Sequence, residues 1–267
     1  MNLAHHVIIG QYVPGKSFVY QFDPRAKLLS IVFLVAAVFL ANNVPSYTFL
    51  IGFTLFSIWL AHVPLRFLWN GLKPIFILII FTTLLHLTFT KGGAVVFEWG
   101  WLVIYESGIR QAVFIALRLL VIIVLTSLLT LTTSPLQLTD GLEYLLNPLR
   151  RLGVPVHDLA LMMSIALRFI PTLLEETDKI IKAQMSRGAN FDSGPIWQRI
   201  KNLIPVLIPL FISAFRRAEE LATAMEARGY RGGEGRTKLR ELRFTWRDII
   251  LAVALLILFG GLLLLRA

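Results

Sequence analysis

The chain has 267 residues, 56% of them hydrophobic and only 16% charged, with a mean hydropathy of +0.71. A soluble globular domain carries about 45–50% apolar and about 25% charged residues, so this composition argues against a soluble enzyme and for a membrane protein. The net charge of +10 would point to nucleic acid in a soluble domain, but in a membrane protein it reflects Lys and Arg gathered in cytoplasmic loops; with no cysteine there is no disulfide, thiolate metal site or cysteine nucleophile.

The opening residues MNLAHHVIIGQYVPGKS lack the basic start and apolar core of a signal peptide, so the N-terminus is expected to be retained. Within them, Gly10-Gln-Tyr-Val-Pro-Gly15-Lys16-Ser17 matches the phosphate-binding pattern G-x-x-x-x-G-K-[ST] letter for letter. Its context argues against nucleotide binding: only nine residues precede it, Pro14 removes an amide from the cradle, and FVYQFDP then leads into an apolar span.

Apolar runs long enough to cross, or nearly cross, a ~30 Å hydrocarbon core occur at Leu28–Ala41, Ser46–Ala61, Leu72–Thr90, Ile109–Thr133 and Ile249–Leu265. The first two are joined by the turn Asn42-Asn43-Val44-Pro45 as a tight helical hairpin. Lys16, Arg25 and Lys27 precede the first span, and Arg66 and Lys73 follow the second. The hairpin turn is uncharged, and Lys91–Ser107 has one Lys against Glu98 and Glu106. This alternation places the N-terminus and the segment Ser134–Arg247 in the cytoplasm.

That segment holds 17 of the 26 Lys and Arg residues and 12 of the 16 Asp and Glu residues, too long and too mixed in charge for a loop. It reads as a module of helices, entered at Ser134-Pro135 with Pro in the first helical position. Two short apolar segments inside it, Leu159–Leu174 and Leu203–Phe215, contain Arg168 with Pro171, and Pro205 with Pro209. They are expected to lie at the membrane interface or packed under the spans, with six or seven spans as the alternative. The expected class is an all-α polytopic membrane protein. Residues 1–133 form a membrane domain with four transmembrane helices, 134–247 a cytoplasmic or interfacial helical coupling module, and 248–267 the last transmembrane helix.

The spans contain no Asp or Glu, which weakens the case for an ion-coupled carrier. His86 and Arg118 are the ionisable groups well inside spans; His86 is expected to be structural, and Arg118 to snorkel or face the interior. No D-D-x-x-D, H-E-x-x-H or G-x-S-x-G is present, and Glu175-Glu176 and Glu219-Glu220 read as solvated or salt-bridged helix faces. No catalytic, metal or cofactor site is expected.

The strongest internal signal is a repeat: Ala183-Gln-Met-Ser186-Arg187-Gly188 and Ala224-Met-Glu-Ala227-Arg228-Gly229, 41 residues apart, each after a Glu-Glu-containing helical stretch. Gly stops a helix in the left-handed conformation, and Arg suits the negative end of the dipole. Small residues before each Arg let a helix end approach another surface, where the guanidinium can pair bidentately with a carboxylate. Two such ends suit a dimeric partner, as in a mechanical coupler to an ATPase dimer.

Asp23-Pro-Arg-Ala-Lys-Leu28, Leu167-Arg-Phe-Ile-Pro-Thr-Leu-Leu-Glu-Glu176, the first Arg-Gly element and Arg217-Ala-Glu-Glu-Leu-Ala-Thr-Ala-Met-Glu-Ala-Arg-Gly-Tyr230 together resemble the transmembrane T component (EcfT) of energy-coupling factor vitamin transporters. The resemblance covers nearly the whole chain; the first copy departs from Ala-Arg-Gly in reading Ser-Arg-Gly. It implies a non-catalytic subunit of the bacterial or archaeal cell membrane, in contact with lipid and not with nucleic acid. It would join two ABC-type ATPases, a heterodimer carrying ATP and Mg, to a membrane S component that holds the substrate. The docking role would fall to Arg187 and Arg228, with Ser186, Gly188, Ala227 and Gly229 shaping the tips. The rival readings are a self-sufficient secondary carrier and a membrane scaffold binding lipid or protein through its basic module.

Overall fold

A computed structural model describes residues 12–99, 102–189, 191, 195–232 and 242–266. Gly10 and Gln11 of the P-loop-like string lie outside the described residues. The described chain divides into two compact units, residues 10–142 with 242–267 and residues 143–241, disregarding the undescribed positions.

The first unit is a helical bundle. Helix α1 (Pro24–Leu40) starts where the sequence supplies a cap: Asp23 accepts a hydrogen bond from the Arg25 amide at 2.9 Å, with Pro24 in the first turn. A short turn leads to α2 (Val44–Ala61), with Asn43 before it and Pro45 in its first turn. Helices α3 (Leu65–Phe89) and α4 (Glu106–Thr132) follow, packed side by side, and α8 (Trp246–Arg266) closes the bundle against α1 and α2. The stretch read as a plain loop between α3 and α4 is an antiparallel hairpin, β1 (Val95–Trp99) and β2 (Leu102–Tyr105). Helix α5 (Pro135–Leu146) opens with a reciprocal cap: Gln137 N donates to Ser134 Oγ at 3.3 Å, and Ser134 N donates to Gln137 Oε1 at 3.1 Å.

The interior of this unit is narrow. Leu34, Ala37, Val38 and Ala41 meet Tyr47 and Leu50, Val121 and Leu125, and Leu258 and Leu262. Many large apolar side chains, among them Phe76, Ile77, Ile80, Phe81 and Leu84 of α3, point outward instead. In water that surface would drive aggregation; against lipid it is neutral, so helices associate through close packing rather than the hydrophobic effect. Gly108 marks such a close approach, because a Cβ there would stand 3.2 Å from the carbonyl oxygens of His86 and Thr90.

Five described helices are long and apolar enough to cross a membrane by length and composition: α2, α3, α4, α8 and the helix Val156–Ser186 of the second unit. The number matches the expected five spans, but the membership differs. At 17 residues, about 25 Å, α1 is one residue shorter than α2 and lies at the low end of the range that spans a bilayer. The Leu159–Leu174 segment, by contrast, belongs to a helix of 31 residues.

Charge is concentrated where α1 and α8 begin and α4 ends. The Arg25 guanidinium holds Asp23 with both arms, Nε to Oδ1 at 3.0 Å and Nη2 to Oδ2 at 2.9 Å, and lies 4.2 Å over the Phe244 ring. Asp248 accepts from the amides of Asp23 (2.8 Å) and Thr245 (2.7 Å). Lys27 Nζ donates to Thr132 O at 3.0 Å and Thr133 Oγ1 at 3.3 Å, a cation on the electronegative end of α4. Asp23, Arg25, Lys27 and Asp248 are each buried. Away from this cluster, half-buried Arg118 donates from Nη2 to Ala41 O at 3.3 Å, closing the C-terminus of α1. His86 makes a long contact with Thr90 Oγ1 at 3.4 Å, inside its own helix end.

Asp23→Ala removes both the cap of α1 and the carboxylate that Arg25 grips, at an expected cost of about 3–5 kcal/mol. Thermal unfolding in detergent, followed by tryptophan fluorescence, should show a clear fall in Tm, with exposed Lys16→Ala unchanged; equal melting of the two variants would show that the charge cluster is not structural.

Candidate functional site

The second unit is built on two long helices, α6 (Val156–Ser186) and α7 (Ile196–Ala227). Both are unbroken. The two apolar segments that looked short in sequence are parts of helices of 31 and 32 residues, with their charged flanks on the same rods. Pro171, Pro205 and Pro209 sit inside them. Each proline removes one N–H from the ladder and frees the carbonyl four residues earlier, a loss that a helix survives when another donor takes the oxygen. At Pro209 the freed oxygen is that of Pro205, and Gln184 Nε2 of α6 reaches it at 3.4 Å.

The helices run antiparallel. Gln184 meets Pro205, and Glu176 meets Ser213 and Arg217. Ile165, Phe169 and Leu173 face Ala214, Ala218, Leu221 and Met225 across a groove of about 320 Å³. Small alanines on α7 let the rods approach along this seam. Another face of α7 is apolar and open: Ile200, Ile204, Ile208, Phe211 and Phe215 recur at helical spacing and all are exposed.

Both helices end in the same way. In α6, the Gly188 amide donates to Met185 O at 3.0 Å and the Ala189 amide to Gln184 O at 3.0 Å. In α7, the Gly229 amide donates to Glu226 O at 2.8 Å and the Tyr230 amide to Met225 O at 2.9 Å. This pair of bonds, with φ of +89° at Gly188 and +74° at Gly229, is the Schellman stop. Nothing lies within 4 Å of where a Cβ would stand on either glycine, so backbone conformation and not crowding demands glycine there.

Ser186, Arg187, Gly188, Ala227, Arg228 and Gly229 are all exposed. Neither Arg187 nor Arg228 is in an ion pair among the described residues. The six residues thus form two separate tips rather than one site. Because the helices are antiparallel, the tips stand at opposite ends of the pair. The Glu176–Arg217 pair that links the two helices was not singled out from sequence; only its place eleven residues before each Arg-Gly element pointed to it.

Elsewhere, the described part of the P-loop-like string has no regular structure before Ser17; the Val13 amide donates to Leu131 O at 3.0 Å, and Ser17 leads into a single 3-10 turn, Phe18–Gln21. A phosphate cradle needs a helix beginning at the Lys. Among the described residues no group of three or more His, Asp or Glu side chains is placed to hold a metal ion.

Gly188→Ala and Gly229→Ala should each strain the stop by about 1–2 kcal/mol without a clash. Hydrogen exchange is the readout: amides in the last turn of the altered helix should exchange about 5–30-fold faster, with the rest of the chain unchanged. Unchanged exchange at the tip would mean that the positive φ is not required.

The family model described as CbiQ, cobalt transport protein, matches residues 15–239. The chain is 62% identical over 256 residues to the energy-coupling factor transporter transmembrane protein EcfT of Brevibacillus brevis, covering 96% of this chain and 97% of that protein. It is 56% identical over 261 residues to the protein of the same name from Bacillus subtilis, with 98% of each covered. The corresponding protein of Clostridium kluyveri is 54% identical over 254 residues, with 94% of each covered.

Proposed function

Because this chain belongs to the CbiQ cobalt transport family, and with its EcfT relatives to the transmembrane proteins of energy-coupling factor transporters, we propose that it is the coupling subunit of such a transporter. It carries no reaction of its own. ATP and Mg are held by two ABC-type ATPase subunits, a heterodimer, and the transported vitamin or micronutrient by a membrane S component. The N-terminus and the second unit face the cytoplasm of a bacterial or archaeal cell, with α6, although long and apolar enough to cross, lying at the membrane interface.

The observation that carries this reading is the pair of matching helix stops, each presenting an exposed Arg beside a glycine. A guanidinium at such an end has its five donors turned outward, and the small neighbours Ser186, Gly188, Ala227 and Gly229 leave room to enter a groove. Each tip docks in one ATPase, where a carboxylate takes the guanidinium bidentately. Closure of the ATPase dimer on ATP moves the two grooves, and α6 and α7, about 46–48 Å long, carry that displacement as rigid rods. The open apolar stripe of α7, from Ile200 to Phe215, meets the S component and tilts it to release substrate inward.

Arg187→Glu with Arg228→Glu tests the docking. Reversing a buried interfacial charge costs about 2–5 kcal/mol at each site, so capture should weaken about 10³-fold or more. The double variant should insert in the membrane but lose ATPase co-purification and uptake in proteoliposomes. Stoichiometric ATPase with normal uptake would refute the assignment. Uptake by the chain without any ATPase would favour a self-sufficient carrier, and membrane binding with neither ATPase nor uptake a scaffold.

A further inference from the structure

The contact between α6 and α7 has a symmetry that follows from the repeat. Arg217 Nη2 donates to Glu176 Oε2 at 3.0 Å, and Ser213 Oγ donates to the other carboxylate oxygen, Oε1. Glu176 and Arg217 are 41 residues apart, the same interval that separates Arg187 from Arg228. They are therefore the same position in the two copies of the repeat, eleven residues before each tip. Two antiparallel helices joined at equivalent positions are related by a local two-fold axis through the joint. Identical side chains on that axis could not pair as ions, and the two copies carry opposite charges there: Glu175-Glu176 in one and Arg216-Arg217 in the other. Each tip lies about 16 Å from the joint, in opposite directions along the pair.

On the reading that the tips dock on two ATPases, we propose that Glu176, Ser213 and Arg217 form the pivot about which α6 and α7 scissor, equidistant from both docking tips. A pivot at this point converts closure of a pseudo-two-fold partner into nearly equal and opposite displacement of the helices. A joint off the axis would instead drag one tip out of its groove. Glu176 and Arg217 are partly exposed, with side chains 25% and 37% accessible, so the link can rotate without burying an unpaired charge. Among the described residues it is the one ion pair between the two helices. These are positioning residues: they touch neither nucleotide nor cargo.

The test uses the complete complex of this chain, both ATPases and the S component in proteoliposomes, with ATP hydrolysis and uptake measured together. Glu176→Arg and Arg217→Glu should each lower uptake about five-fold or more while hydrolysis and ATPase co-purification persist, because coupling rather than assembly is lost. The swap of both residues should return uptake to within about two-fold of the wild type. Glu176→Ala with Ser213→Ala, which removes the link without introducing a repulsive charge, should uncouple in the same sense. Undiminished uptake in the single variants, proportional loss of hydrolysis and uptake, or a swap as inactive as its parents would each overturn the pivot. A wild-type chain that captures no ATPase would overturn the coupling role and the pivot with it. A competent wild-type complex indifferent to Glu176 sinks the pivot alone.

Discussion

The first unit depends on one arrangement of buried charge. Asp23, Arg25, Lys27 and Asp248 are all removed from water at a point where α1 and α8 begin and α4 ends. An isolated ion there would cost several kcal/mol, and the geometry leaves each with charged, amide, carbonyl or hydroxyl partners at 2.7–3.3 Å. The partners come from three separate helices, so the ions can be satisfied only when those helices stand in the right register. In lipid, where apolar surface gives no preference for one packing over another, that requirement supplies the specificity. The far end of α1 is fixed by a related device, Arg118 on the open carbonyl of Ala41.

The second unit obeys a different constraint. Two helices of 31 and 32 residues have too little contact with each other to bury their apolar faces, and much of α7 remains open. Such a pair is suited to be completed by partners rather than to act alone. What it does fix is geometry at its ends, since each Schellman stop holds its Arg-Gly tip through two backbone bonds that do not depend on what the side chains touch.

Local features were legible in the sequence because they rest on neighbours in the chain. Ser134 before Pro135, the uncharged turn before α2 and the paired Arg-Gly stops all declare themselves within four residues. The full length of α6 and α7 was not legible, since only their apolar stretches stood out while the structure carries both helices through their prolines and charged flanks. The rescue at Pro205 comes from Gln184, 21 residues away, which no local pattern reveals. The hairpin of β1 and β2 was missed because its short strands lie in a glycine-containing stretch that reads equally well as a loop. Asp248 fell just outside the last apolar run and drew no attention, although it holds the amide of Asp23 from 225 residues away. The repeat was visible as two tips; that its equivalent charged positions meet became visible only when the helices were seen to be antiparallel.

The central claim is that the two Arg tips move relative to one another as the ATPases bind nucleotide. The absence of cysteine permits a direct measurement, because Lys182→Cys and Thr223→Cys, exposed and equivalent in the repeat, give two unique spin-label sites five residues before the tips. Pulsed electron paramagnetic resonance distances between them should be recorded on the transport-competent complex without nucleotide and with ATP trapped. The account predicts a shift of several ångströms between the two states, abolished by Arg187→Glu with Arg228→Glu. Identical distance distributions in both states of a complex that still transports would contradict it.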